Sequence, residues 1–287
     1  MPLARIPTPD GPRWVVRDPN GSRALPVGLD DLLGLPLEEA RRLIEAAVEP
    51  MDDPGPVLVP AEGQEVWACG VTYLQSRDGR REESREPTIY ERVYTEPRPE
   101  VFFKAAPGRS VGPGDPVGIR ADSGWDVPEP ELALVVNSDG EIFGYTVGND
   151  MSSRSIEGDN PLYLPQAKVY TASCALGPVI VPVWEAPAWP FAVHLRIERD
   201  GATAFAGETS TGQLARDPAD LVEALTRALD FPVGAILLTG AGIVPGTDFT
   251  LAAGDLVAIT IDGIGTLTNP VRVVGRPAPA ADSDRAG

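Results

Sequence analysis

The chain has 287 residues, 43% of them hydrophobic, and a formal net charge of −18; this is apolar content enough for one large core, with or without a small appendage. That charge excludes nucleic acid as a partner, which needs a basic stripe, and no apolar run reaches the roughly 18 residues of a membrane span. A single histidine and two cysteines outside any CxxC pattern exclude a disulfide framework, Ser-His-Asp and Cys-His nucleophiles and histidine-based zinc sites. The N-terminus lacks the basic start and apolar stretch of a secretory signal, so a cytoplasmic protein with Cys69 and Cys174 reduced in the core is expected.

Taken in order, residues 1–62 read as a small α+β unit. Trp14–Val16 is a strand candidate, Asp18-Pro19-Asn20-Gly21 a turn leading back through Ala24–Val27, and Leu29–Leu33 and Leu37–Val48 are short helices, the second stopping before Pro50. Met51–Pro60 reads as a linker with a short strand. The main body, 63–275, opens with a buried strand at Glu65–Val71. A charged stretch follows over 77–92, and then Pro99–Lys104, a short apolar strand with a charge at each end. Gly108–Gly118 is loop.

Leu132–Val136 and Ile142–Val147 flank the turn Asn137-Ser138-Asp139-Gly140, which predicts a hairpin. Asp150–Ser155 begins like a helix N-terminus, and Asn160-Pro161 breaks it. Val179–Val183, Val193–Arg199, which carries the sole histidine His194, and Ala202–Gly207 are strands. Pro218–Leu229 is a helix; Ala235–Leu238, Gly240–Gly246, Asp255–Ile261 and Thr266–Val274 are strand and turn. Residues 276–287 read as a disordered tail. Strands dominate and no βαβ rhythm appears, so the fold class is α+β, mostly β.

The chemistry concentrates in the hairpin. Glu129 and Glu131 stand two apart, on one face of a strand because side chains alternate, and antiparallel pairing brings Asp150 back beside them. Three converging carboxylates repel unless a cation lies between them. Oxygen-only ligands suit Mg²⁺, with Mn²⁺ or Ca²⁺ as substitutes; solvated strand ends are the alternative. The chain uses lysine only at Lys104 and Lys168.

Trp67-Ala-Cys-Gly-Val-Thr-Tyr73, Phe102-Phe-Lys104, Glu129-Pro-Glu131, Gly144-Tyr-Thr-Val-Gly-Asn-Asp150, Ser153-Arg154, Lys168, Leu176-Gly-Pro178 and Gly263 to Pro270 resemble, in order, the motifs of the fumarylacetoacetate hydrolase family over roughly 65–275. The resemblance implies a mixed β-sandwich or roll of that family's C-terminal type. Glu129, Glu131 and Asp150 would hold the metal and Lys168 would reach a pocket for a small anionic 2-oxo acid, in a homodimer or homotetramer. Hydrolytic members carry a water-activating histidine and glutamate where this chain has Ser76 and Gly79. The dehydratase branch acting on 2-keto-3-deoxy-D-arabinonate shares Pro99 to Lys104 and Asn160 to Lys168.

The resemblance therefore implies a hydro-lyase that forms an enolate and expels the C4 hydroxyl. Hydrolysis of a C–C bond in acylpyruvates and an inactive metal-binding scaffold are the alternatives. Lys168 and Glu100 are the candidates for proton transfer, since an amine buried beside a metal becomes a base near neutral pH. A salt bridge from Lys168 to a metal carboxylate, and pairing of Glu100 with Lys104 or an arginine, are the competing structural roles. Arg154 and Thr266 would position substrate, and Tyr73 and Ser76 would line the pocket. At Ala241 the resemblance expects a threonine.

Overall fold

A computed structural model describes residues 1–18, 21–52, 55–74 and 92–277. Expectations for Ser76, Gly79, the charged stretch up to residue 91 and the tail from 278 onward lie outside the described residues. The N-terminal segment runs β1 (Leu3–Ile6), β2 (Arg13–Asp18), β3 (Gly21–Ala24), α1 (Leu29–Leu33), α2 (Leu37–Glu45) and β4 (Pro50–Met51). β1 has no turn signal ahead of it and escaped the sequence reading. α2 ends at Glu45, short of Val48, which is largely exposed.

The body continues with β5 (Glu65–Gly70), β6 (Glu100–Ala105), β7 (Val117–Arg120), β8 (Asp126–Val127), β9 (Pro130–Val136), β10 (Ile142–Asp150) and β11 (Ser152–Ser153). Next come α3 (Arg154–Asp159), a 3-10 turn at Pro161–Tyr163, α4 (Leu164–Lys168), β12 (Cys174–Pro182), β13 (Ala192–Arg199) and β14 (Ala202–Ser210). α5 (Pro218–Thr226), β15 (Ala235–Leu238), β16 (Leu256–Ile261) and β17 (Gly265–Val274) complete it.

A ten-stranded sheet takes the order β4-β3-β2-β1-β12-β10-β9-β15-β5-β6, and a five-stranded sheet the order β14-β13-β16-β17-β7. β1 pairs with β12 through Leu3 and Ile180, so the segment expected as a small unit is joined to the body by sheet hydrogen bonds. Two pairings, β15 with β5 and β17 with β7, are parallel. Each links stretches far apart in the chain, which is why no local rhythm announces them.

β9 is buried at every residue. Its alternation sends Leu132, Leu134 and Val136 into the main core with β13, β16 and α5. The other face carries Ala133, packed with Val66, Ala68 and Leu238, and Val135, packed with Leu29, Leu32 and Leu33 of the N-terminal segment. Glu131 shares that second face by the same alternation. A strand covered on both sides holds its register tightly, because a slip by one residue would put carboxylates in the core. His194 lies on β13 with a side chain 42% exposed, the strand position expected for it.

Candidate active site

The hairpin builds the site. In the β9–β10 ladder Gly148 stands opposite Glu131 and Asn149 opposite Pro130, and the Asp150 N–H donates to the Glu129 carbonyl at 3.0 Å. Asp150 is thus the last residue of β10, whereas the sequence reading ended the strand at Val147; the strand runs three residues further. Glu129, Glu131 and Asp150 each offer one oxygen, all within 4.8 Å of one another, and all three residues are buried.

Burial, then the charges of Asp150 and Glu129, push the Glu131 carboxyl well above the usual carboxylate range, even though one of its oxygens accepts the Gly240 N–H. Buried carboxylates that repel one another and offer only oxygen match a hard divalent cation of the Mg²⁺, Mn²⁺ or Ca²⁺ kind. Gly240, at φ +93, sits so close to Thr72 that a side chain there would collide with its hydroxyl. This lets the backbone after β15 approach Glu131.

Three cationic side chains converge on the trio. Lys168 Nζ donates to Glu129 Oε2 at 2.7 Å, Asp150 Oδ2 at 2.9 Å and Ser152 Oγ at 2.6 Å. Arg154 Nη2 pairs with Glu129 Oε1 at 2.9 Å. Lys104, fully buried, pairs with Asp150 Oδ1 and donates to the Met151 carbonyl at 3.0 Å and the Lys168 carbonyl at 2.5 Å. The capping of α3 by Ser153, whose hydroxyl accepts the Ile156 N–H, starts that helix where Arg154 can reach Glu129.

A small cavity opens onto Glu129, Asp150, Lys168 and Arg154, with Glu100, Phe102 and Ala241 also in its wall. Glu100 is opposite Gly70 in the β5–β6 ladder, and the bare Gly70 backbone lets its carboxylate lie directly against β5. Cys69 also borders the cavity, and burial, reinforced by Glu131 and Glu100, pushes its thiol well up, so it offers no thiolate nucleophile.

Sequence reasoning placed Lys168, Glu100 and Arg154 at this site, and all three line the cavity. Tyr73 does not: it is buried against Gly242 and bridged to Leu214, and Val71, at φ 54, takes the cavity position. Burial and the Glu131 charge both push its phenol up. Thr266 is likewise not among the described residues of the cavity wall. β17 turns Leu267 into the core and leaves Thr266 exposed, its hydroxyl 2.9 Å from that of Thr260 and outside the cavity wall.

Lys104 received no site role from sequence, although its rarity was a signal. Its amine ties the end of β10 to the end of α4. Lys104→Met is therefore expected to destabilise the protein by about 3 kcal/mol, the scale for breaking a buried ion pair. It should also weaken divalent-cation affinity about 10- to 100-fold, as read by chemical denaturation and calorimetric titration.

Behind the site, Asp126 on β8 is 3% exposed, and one of its oxygens has no hydrogen-bond partner among the described residues. Burial raises its carboxyl from 3.8 to about 6, against the lowering effect of a Ser123 hydrogen bond. A carboxyl raised on folding binds more protons in the folded state, so its penalty is absent below about pH 4 and grows as pH rises through about 6. Asp126→Asn is expected to be more stable than the parent by about 2 kcal/mol at pH 8, with the two proteins converging at acid pH in denaturant titrations.

A family model described as fumarylacetoacetate (FAA) hydrolase C-terminal matches residues 66–272. Over 217 residues, 75% of each protein, the chain is 52% identical to the Haloferax volcanii protein named "Probable 2-keto-3-deoxyxylonate dehydratase". Over 221 residues, 75% of this chain and 74% of the relative, it is 45% identical to 2-dehydro-3-deoxy-D-arabinonate dehydratase of Saccharolobus solfataricus. Among solved structures, 2-keto-3-deoxy-D-arabinonate dehydratase complexed with magnesium and 2,5-dioxopentanoate superposes with a TM-score of 0.85. That likeness is at 35% identity and covers 96% of this chain and all of that one. The stretch matched by the family model contains the carboxylate trio, Lys104, Lys168 and Glu100, and the mostly β fold agrees with it: the chain belongs to the fumarylacetoacetate hydrolase family.

Proposed function

We propose that the protein is a magnesium-dependent dehydratase of 2-keto-3-deoxy sugar acids, such as 2-keto-3-deoxy-D-arabinonate, yielding 2-oxoglutarate semialdehyde. One observation carries the reading: a single cavity is lined by Glu129 and Asp150 of the buried trio, by a lysine amine hydrogen-bonded to both, and by a further carboxylate, Glu100. The relatives named as dehydratases at 45–52% identity support it, as does the neighbour holding magnesium and 2,5-dioxopentanoate.

Glu129, Glu131 and Asp150 would hold the metal. When bound, magnesium supplies Lewis-acid polarisation of the substrate's carboxylate and keto oxygens, worth several kcal/mol. Arg154 supplies the local positive charge that a 2-oxo acid needs in a chain of net charge −18, and Lys168 acts in its neutral form. Lys168 takes the C3 proton, its amine held in place by Ser152 Oγ and the two carboxylates. Glu100, in protonated form, gives a proton to the C4 hydroxyl, which leaves as water as the C3–C4 double bond forms. The 5-hydroxy-3-enoate so produced then isomerises: a proton leaves C5 and one is gained at C3, which gives the C4–C5 enol, and protonation of that enol at C4 yields the semialdehyde. Proton donors and acceptors placed in this way contribute about 10²- to 10⁴-fold.

The buried free cysteines Cys69 and Cys174 support a cytoplasmic setting, and we place the enzyme in a homodimer or homotetramer. The test is a panel of 2-oxo acids assayed with Mg²⁺. Formation of the semialdehyde from a 2-keto-3-deoxypentonate supports the reading; faster release of pyruvate from an acylpyruvate overturns it in favour of C–C hydrolysis, and no turnover on either leaves a metal-binding scaffold.

A further inference from the structure

The cavity wall contains a carboxylate that the proposed proton transfers do not use. Glu157 is 3% exposed and lines the same cavity as Glu129 and Asp150 of the trio. It stands three residues after Arg154 on α3, a spacing that puts the two side chains on one face of the helix. Arg154 is tied to the metal end through Glu129 at 2.9 Å. Glu157 lies about 4.5 Å further along the helix axis, at 1.5 Å per residue. A 2-oxo acid anchored at Glu129 and Asp150 by its carboxylate and keto oxygens has Glu157 in the wall of the same cavity.

We infer that Glu157 reads the far end of the substrate: its carboxylate accepts the hydrogen bond of the terminal hydroxyl, and so selects 2-oxo acids with a hydroxylated tail over those ending in a second carboxylate. This rests on the proposed dehydratase reading. An ionised carboxylate only accepts hydrogen bonds, at about four lone-pair positions. It can therefore serve a hydroxyl while keeping other contacts, and it opposes another carboxylate by both charge and lone pairs. Among the described lining residues the one further carboxylate outside the trio is Glu100, assigned above to the C4 hydroxyl. Val71, Leu164, Ala241 and Val244 are apolar. The two cationic side chains among the described lining residues, Arg154 and Lys168, are already bonded to the trio.

The test compares 5-hydroxy-2-oxopentanoate with 2-oxoglutarate, two acids of equal length that differ only in a hydroxyl or a carboxylate at the far end. Both are titrated into parent, Glu157→Gln and Glu157→Asp by calorimetry in the presence of Mg²⁺. The parent is expected to favour the hydroxyl tail by at least about tenfold. Glu157→Gln, whose amide can donate to a carboxylate, should shrink that ratio by about tenfold or more, the scale of one charge-assisted hydrogen bond. Its KM for the 2-keto-3-deoxypentonate should rise about tenfold while kcat stays within about threefold. Glu157→Asp should keep the preference for the hydroxyl tail.

An equal affinity of the parent for both tails, an unchanged ratio in Glu157→Gln, or a loss of kcat without a change in KM would overturn the assignment. If Glu157→Gln does not fold, the parent ratio and Glu157→Asp decide. Failure of the parent to dehydrate any 2-keto-3-deoxy acid defeats the function proposed above, while the tail-preference ratio, being a binding measurement, still judges Glu157.

Discussion

Glu131→Gln is expected to abolish turnover, by at least about 10³-fold or about 4 kcal/mol of lost barrier reduction, while making the metal-free protein more stable. The two halves of the result come from one cause. Glu131 is 1% exposed, and burial together with Asp150 and Glu129 pushes its carboxyl well up. In the ionised state it is therefore a liability to the fold without a cation, and an amide of the same shape relieves that repulsion by about 1 to 2 kcal/mol. The amide oxygen still accepts the Gly240 N–H, so backbone geometry survives.

Because the carboxyl is raised on folding, the gain is largest at alkaline pH and fades as pH falls. Mg²⁺ affinity in the parent falls in that same direction, since protons compete for the ligand. The measurements are melting temperature with and without Mg²⁺ at several pH values, alongside turnover. A solvated strand-end carboxylate would change neither, and a purely structural one would lower the metal-free melting temperature. Either outcome would sink the metal assignment.

Lys168→Met is expected to cost about 10³-fold in kcat, the middle of the range for a positioned base, while Mg²⁺ affinity stays within about tenfold of the parent. The distinction follows from how the cations are shared. Without the Lys168 amine, Glu129 keeps Arg154 at 2.9 Å and Asp150 keeps its pairing with Lys104. The trio therefore retains counter-charge on both sides. If Lys168 served only as a counter-ion, arginine would restore function and methionine would disturb metal binding as much as turnover.

The decisive readout is exchange of the C3 protons of 2-oxobutanoate with D₂O in the presence of Mg²⁺. It should be fast in the parent and lost in both Lys168→Met and Lys168→Arg. Exchange that persists in Lys168→Met would assign the base elsewhere. Glu100→Gln should leave this exchange intact and block water loss, which separates the two proposed roles.

The carboxylate trio was readable from the chain alone because every contact that makes it is local. Alternation puts Glu129 and Glu131 on one face, and a tight turn at Asn137 to Gly140 returns Asp150 beside them. The predominance of strands and the short helices were readable for the same reason, since periodicity and turn residues act over a few positions. Lys168, Arg154 and Glu100 could be nominated by rarity, donor chemistry and resemblance, but their meeting could not be derived from spacing. β6 reaches the site only by pairing with β5, which in turn is held by the parallel contact to β15.

Lys104 shows the limit clearly. In sequence it is a charge at a strand end; in the fold its amine is fully buried and joins β10 to α4 through Asp150, Met151 and Lys168. Thr266 shows the reverse case, a suitable donor whose strand register turns it away from the cavity. Tyr73 is displaced for a similar reason, because the left-handed turn at Val71 decides which side chain faces inward. By itself the sequence determined which residue types are present and how neighbours alternate. Only the tertiary structure decided which distant side chains share one buried volume, because long-range strand pairing is set by the packing of whole sheets and leaves no periodic mark on either partner.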